Sequence, residues 1–415
     1  MLFFAATKTS TVMNFKKLAL YGFFFIFLCV PFSYSQELQT STFGNGLLNL
    51  IGKDSTWSAK VGARMQLLSI SSWSKDDEGY GNPEQNFLVR RARLKFDGFV
   101  HSPKLQYKIE IGLSNRDVSG GSQFTRNTPR YILDAVVKWN FYQNFVLWFG
   151  QTKLPGNIER VISSANLQQV DRSLLNSRFN IDRDMGFQLR HHFILGKKML
   201  VREKFAFSQG EGRNITEGNL GGHQYTTRLE LLPFGKFASK GDYVGADLQR
   251  EKTVKLMLGA TYDINKDAVK TRSNMGSYMF NDVGLYQTDI STAFVDFMLK
   301  YNGFSFMGEY ANRDADSPIA LNSDGTETGD VVQVGNGLNL QTGYLFKNNW
   351  EVSGRFTNIH LNEAITGKER EQQYTLGVSK YMVGHKLKVQ TDLSYLTLNN
   401  GVDELMWRLQ MEVHL

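Results

Sequence analysis

The sequence predicts an all-β fold, a closed antiparallel transmembrane barrel of about sixteen strands, and three observations carry that reading. Apolar and polar residues alternate with period two in one segment after another. The connections between these segments alternate between short and long. After residue 56 no second apolar run is long enough to span a membrane as a helix. Composition agrees without deciding: of 415 residues 13% are aromatic, and 38 glycines stand against 7 prolines, a balance suited to many strands joined by tight turns. A mean hydropathy of −0.32 excludes a helical membrane protein but not a barrel, whose lumen-facing residues are polar.

The amino end reads as an export signal. Lys16 and Lys17 precede an apolar run over 18–30, and Ser33-Tyr34-Ser35 supplies small residues for cleavage. Residues 1–35 are expected to be removed, with Met13 as an alternative start. A periplasmic segment over 36–56 and a barrel over 57–415 follow. Cys29, the one cysteine, leaves with the signal; Phe27-Leu28 before it do not fit a lipoprotein signal. Lys8, Lys16 and Lys17 leave too, so the net charge falls from +7 to about +4, too little to argue for a nucleic-acid partner.

The first strand alternates Trp57, Ala59, Val61, Ala63, Met65 and Leu67 with Ser58, Lys60, Gly62, Arg64 and Gln66. Leu105, Tyr107, Ile109 and Ile111 alternate in the same way with Gln106, Lys108 and Glu110. So do Leu405, Trp407, Leu409, Met411 and Val413 with Arg408, Gln410 and Glu412. Continued along the chain, the rule predicts strands near 57–73, 87–100, 104–114, 130–140, 144–152, 184–195, 198–208, 223–232, 252–263, 288–301, 303–312, 332–346, 349–360, 372–382, 385–397 and 404–415. Every second connection is short, as at His101-Ser102-Pro103, Tyr142-Gln143 and Asn302-Gly303. The others are long and polar, the pattern of strands crossing between a tight periplasmic rim and an open outer one. Residues 233–251 break the rule, being long where a short turn is due. They read either as a missed hairpin or as an ordered turn projecting into the periplasm.

Catalytic and metal constellations are not expected. His191 and His192 are adjacent and so face opposite sides of a strand, and no H-E-x-x-H, G-x-S-x-G or phosphate-loop pattern occurs. No cofactor is implied. The basic residues carry more. Within Leu88-Val89-Arg90-Arg91-Ala92-Arg93-Leu94-Lys95-Phe96-Asp97, an outward set of Leu88, Ala92, Leu94 and Phe96 turns Arg91, Arg93 and Lys95 inward, at steps of roughly 6–7 Å. Arg90 falls on the apolar side by this count. Lys60, Arg64 and Lys108 on the adjoining strands share the inward face. Guanidinium groups grip oxyanions through two oxygens at once, and a series of weak sites passes an ion without trapping it. The same cations could instead pair with Asp97, Glu110 and Asp134. The connection 153–183 is long enough to be functional. It holds Lys153, Arg160, Arg172, Arg178 and Arg183 among apolar residues suited to packing it against the barrel wall.

Several stretches, in order, carry a family resemblance: Lys60-Val61-Gly62-Ala63-Arg64-Met65-Gln66, Arg90-Arg91-Ala92-Arg93-Leu94, Phe149-Gly150-Gln151-Thr152-Lys153-Leu154-Pro155, Arg172-Ser173-Leu174-Leu175-Asn176, Asp182-Arg183-Asp184-Met185-Gly186 and Phe237-Ala238-Ser239-Lys240-Gly241-Asp242-Tyr243. In these the chain resembles the phosphate-selective porin O and P family over essentially its whole mature length. The resemblance implies sixteen strands, a homotrimer in outer-membrane lipid of a Gram-negative-type bacterium, a third loop folded inward, and an arginine ladder leading to a phosphate-binding constriction. Arg91, Arg93 and Lys95 match the ladder; Lys153, Arg160 and Arg172 match the constriction. The near-neutral charge and the terminal Leu415, where such barrels end in an aromatic residue, depart from the pattern. The expected function is passive passage of small anions such as phosphate, with no enzyme activity. The alternatives are a general porin for other small solutes and a structural or adhesion barrel with partner-binding outer loops.

Overall fold

A computed structural model of the chain describes residues 42–76, 79–118, 120–398 and 403–415; the expected signal, 1–35, lies outside them. Sixteen strands make one antiparallel sheet. They are β1 Trp57–Asp76, β2 Glu84–Val100, β3 Ser102–Gly112, β4 Ile132–Tyr142, β5 Phe145–Lys153, β6 Arg183–Leu195, β7 Met199–Ser208 and β8 Gln224–Leu232. The second half comprises β9 Lys255–Ala268, β10 Thr288–Tyr301, β11 Phe304–Ala315, β12 Gly335–Leu345, β13 Trp350–Leu361, β14 Glu371–Tyr381, β15 Leu387–Leu398 and β16 Glu404–His414. Each pairs with its neighbours in chain order. The first also pairs with the last, Gln66 standing opposite Arg91 on one side and Glu412 on the other. A sheet closed in this way has no unpaired edge, which is the condition for placing strands in lipid.

The period-two pattern sorts inside from outside, with the apolar side outward. On β16 Trp407, Leu409 and Met411 are exposed while Gln410 and Glu412 are buried. On β14 Tyr374 and Leu376 are exposed while Gln373 and Thr375 are buried. A soluble sandwich would bury the first set; here it forms the outer belt. Exposed Trp139, Phe141, Tyr142, Tyr301, Phe304, Tyr344, Phe346 and Trp350 gather at the short-turn rim, where an aromatic girdle meets the headgroups. One of those turns, Asn302-Gly303, has φ of 49° and 92°, the paired left-handed geometry that joins twisted strands in two residues. At the opposite rim the long connections carry small hairpins, such as Lys270–Arg272 with Met275–Tyr278. A further short strand, Leu48–Ile51, pairs with residues 58–61 of β1, continuing the line of β16.

The break at 233–251 resolves differently from both readings of the sequence. It holds no hairpin, and it folds back into the barrel instead of projecting from it. Lys300, inward on β10, donates to the carbonyls of Gly241, Val244 and Ala246 at 2.8, 2.8 and 2.7 Å. The Tyr243 hydroxyl donates to Glu230 on β8 and accepts from Lys204 on β7, and Asp242 pairs with Arg202. The inner wall here is charged, and the turn supplies partners that a projecting loop would leave to water. Lys300→Met should speed hydrogen–deuterium exchange in 241–246 by about tenfold or more, since a charged donor to three carbonyls is lost, while the barrel amides stay protected; equal protection would remove Lys300 as the anchor.

Candidate anion pathway

The third long connection, 154–182, is positioned by two sets of contacts. Its apolar residues Leu154, Ile158, Ile162, Leu175 and Phe179 are fully buried. They cluster with inward-facing Met257, Phe294, Met298, Met307, Ala311 and Ile359 of β9–β13. Polar bonds reinforce that wall. Gln168 donates to Ser305 Oγ and Glu351 Oε1 at 2.8 and 2.7 Å. The Val170 amide donates to Asp392, and the Glu159 amide to Glu309. Glu159 in turn accepts from the amide and hydroxyl of Ser173, tying two short helices together, α1 Ile158–Val161 and α2 Leu174–Phe179. On the opposite side Arg64 reaches Ser164 Oγ at 2.9 Å, and Arg90 and Arg91 hold Asp171 at 2.6 and 3.1 Å. The segment therefore crosses the interior from β9–β15 to β1–β2.

Open space lies along β1–β6 and includes three chambers that share a lining residue. An outer one of about 270 Å³ is lined by loop and strand arginines, a middle one of about 200 Å³ lies beside β4–β6, and an inner one of about 380 Å³ opens beside Lys60, Lys386 and Leu415. Arg93 lines all three, so the chambers adjoin around this residue.

The residues singled out in the sequence divide accordingly. Arg91, Arg93, Arg160, Arg172 and Arg183 surround the outer chamber. Lys60, Arg64, Lys95 and Lys108 surround the inner one, and Lys153 lines the middle one. Arg178 lines none of the three and pairs with Glu371 on β14 at 2.8 Å. The ladder is compensated step by step: Arg91 by Asp171, Arg93 by Asp117 and Glu110 at 2.6 and 2.9 Å, and Lys95 by Asp97 at 2.8 Å. Lys108 sits between Glu110 and Asp134 at 2.7 and 2.6 Å, Arg183 on Asp134 at 3.1 Å, and Arg160 on Asp182. Arg64 stands 3.6 Å from Glu412. Lys153 and Arg172 have no carboxylate partner among the described residues. Lys153 donates to the carbonyls of Arg160, Val161 and Ile162, and Arg172 to those of Glu159 and Ile162.

Two features differ from the sequence reading. Arg90 does not face outward. Gln66 stands opposite Arg91 and Leu67 opposite Val89, leaving Arg90 as the extra residue of a β-bulge that breaks the alternation. Phe87 and Val89 are therefore the outward residues ahead of it, and Leu88 turns in against buried Leu68. The second difference is the source of the outer chamber's charge, which includes Arg116, Arg130 and Arg213 from the connections after β3 and β7. None forms an ion pair among the described residues. Loops have no period, so nothing in their spacing shows which way these side chains point.

Burial opposes the charge of Asp171, yet Arg91, Arg90 and Arg408 hold its carboxyl well below the usual range. Burial and the neighbouring Arg160 and Arg91 push the Arg172 guanidinium well below its ordinary value. Arg213 is pushed down to about 10, by burial first and then by Arg183, Arg130 and Arg160, against the pull of Asp182. Crowded guanidiniums strain one another in the absence of a counter-ion, and an anion among them relieves the strain. Among the described residues no group of three His, Cys, Asp or Glu side chains could hold a metal ion.

The profile of the family described as phosphate-selective porin O and P matches residues 60–400. The chain belongs to that family. It is an outer-membrane porin, with the short-turn rim of its barrel in the periplasm. No curated protein sequence matches it. Among solved structures, the porin is similar to the anion-selective porin of Comamonas acidovorans at 10% identity and a TM-score of 0.50, over 86% of this chain and 100% of that one. It is similar to Salmonella typhi OmpF in complex with daunomycin at 11% identity and a TM-score of 0.53, over 88% and 100%. A loop-deletion form of OmpT from Vibrio cholerae follows at 13% and 0.50, over 86% and 99%. At these identities the likeness shows the barrel fold alone.

Proposed function

We propose that this porin passes small anions, phosphate and related oxyanions foremost, as a passive homotrimeric channel without enzymatic chemistry. One observation carries the reading: nine arginines line the outer chamber against two carboxylates, Asp117 and Asp182. Four of the nine, Arg116, Arg130, Arg172 and Arg213, form no ion pair among the described residues, so their charge is available to a solute. Guanidinium forks favour tetrahedral oxyanions, which accept two hydrogen bonds from one group. Beyond this chamber the compensated ladder offers weaker steps, and weak successive sites allow an ion to leave as well as enter. The family description supports phosphate, and the family resemblance supports the trimer.

Purified protein in planar bilayers tests the reading. In a potassium chloride gradient the reversal potential should show anion preference, and added phosphate should block the chloride current. A cation-preferring reversal potential would overturn the proposal. Anion preference without phosphate block would confine it to a non-specific anion pore.

A further inference from the structure

The middle chamber differs in kind from the other two. Trp148 and Val161 give it an apolar floor, and Lys138, Arg190 and Lys108 stand around that floor. Trp148 is inward on β5, since its neighbour Phe149 is half-exposed on the outer surface and stacks on Phe187. Lys138 and Arg190 come from the strands on either side of it, β4 and β6. They place their charges 4.1 and 3.6 Å from the centre of the indole. The ring face is what holds them: neither forms an ion pair among the described residues, and Arg190 otherwise donates to Gln188 Oε1 at 2.6 and 3.3 Å. A π-face steadies a cation but does not cancel its charge, so two positive groups remain for a solute beside an indole and one aliphatic side chain.

We propose that this chamber is a binding site for small organic anions with an apolar body, aromatic monocarboxylates being the simplest class. The proposal rests on the anion-channel reading and deepens it. A carboxylate takes Lys138 and Arg190 as its partners, while its ring loses water against the indole and Val161. Inorganic phosphate gains nothing from that floor and is served by the arginine chamber above. About 200 Å³ accommodates one such molecule. Because Arg93 and Lys108 line this chamber and the inner one alike, the site lies on the permeation route, and occupancy is read as a block of current.

The experiment compares benzoate, acetate and inorganic phosphate as blockers of the chloride current through the full-length porin in planar bilayers. Benzoate should block at a concentration at least about tenfold below acetate, the ring contact being worth that factor. Trp148→Ala should raise the half-blocking benzoate concentration by about tenfold and shift that of phosphate by less than about twofold, with Trp148→Phe recovering most of the loss. Benzoate blocking no better than acetate in the unaltered, anion-selective porin would overturn the site alone, with no variant required. Trp148→Ala shifting benzoate and phosphate equally would overturn it too. A cation-preferring reversal potential would instead overturn the channel reading, and the site with it.

Discussion

Arg116→Glu, Arg130→Glu and Arg213→Glu together are expected to turn the reversal potential from anion-preferring to cation-preferring and to abolish phosphate block. The three arginines line a chamber of about 270 Å³ whose carboxylates are Asp117 and Asp182. The substitution removes three positive charges and installs three negative ones in that space. The chamber is small beside the roughly 8 Å screening length of physiological salt, and low-dielectric walls focus the field of such a cluster. None of the three holds a carboxylate; Arg213 donates to the Asp117 carbonyl at 2.6 Å. The barrel should therefore fold, and unchanged heat-modifiable gel mobility would show it. The ladder makes a poorer target, because Arg93→Glu would also strand Asp117 and Glu110 and confuse selectivity with structure. A triple variant still anion-preferring, with phosphate block altered less than about twofold, would remove the outer chamber from the mechanism.

Arg228→Ala should destabilise the barrel by roughly 3–5 kcal/mol, the cost of leaving a buried ion without its partner. Arg228 on β8 is fully buried. It grips both oxygens of Asp296 at 2.7 and 2.8 Å and touches Glu230 at 2.8 Å. It also donates to the Gly156 carbonyl at 3.1 Å, at the start of the inward segment. Its loss leaves Asp296 charged and unpaired among packed side chains. Arg178→Ala is the control, a pair that remains partly in solvent, with an expected loss under about 1 kcal/mol. Thermal and denaturant midpoints of the detergent-solubilised barrel measure both. Equal midpoints for the two variants would mean that water reaches Arg228 and replaces it.

The strands were legible because their two faces meet different solvents, so the alternation of Trp407, Leu409 and Met411 with Gln410 and Glu412 is written directly in the chain. Loop length marked the two rims for a similar reason, since tight turns such as Asn302-Gly303 need particular residues. What the alternation could not carry was an interruption of itself: one extra residue at Arg90 moved Leu88 inward and Val89 outward. It pointed to compensation by Asp97, Glu110 and Asp134, which the structure shows, but not by Asp171 and Asp117, which reach the ladder from loops outside any strand register. The turn at 233–251 was recognisable as anomalous by its length alone. Its inward course depends on Lys300 and Glu230, far away in sequence, needing partners.

The two inward segments touch, the Gly245 amide donating to the Asn166 carbonyl at 2.8 Å. Together they fill the barrel along β8–β15 and leave the chambers along β1–β6. This gives the interior two regimes of mutational tolerance. Along the filled side a substitution such as Arg228→Ala is judged as a change in a protein core, and most are rejected on stability. Along the open side the side chains outside the paired ladder, such as Arg116, Arg130, Lys138 and Arg190, answer mainly to water and to passing solute, and exchanges there are cheap in folding terms. New solute preferences can therefore arise by drift on β4–β6 and the outer loops while the filled half keeps the barrel in shape.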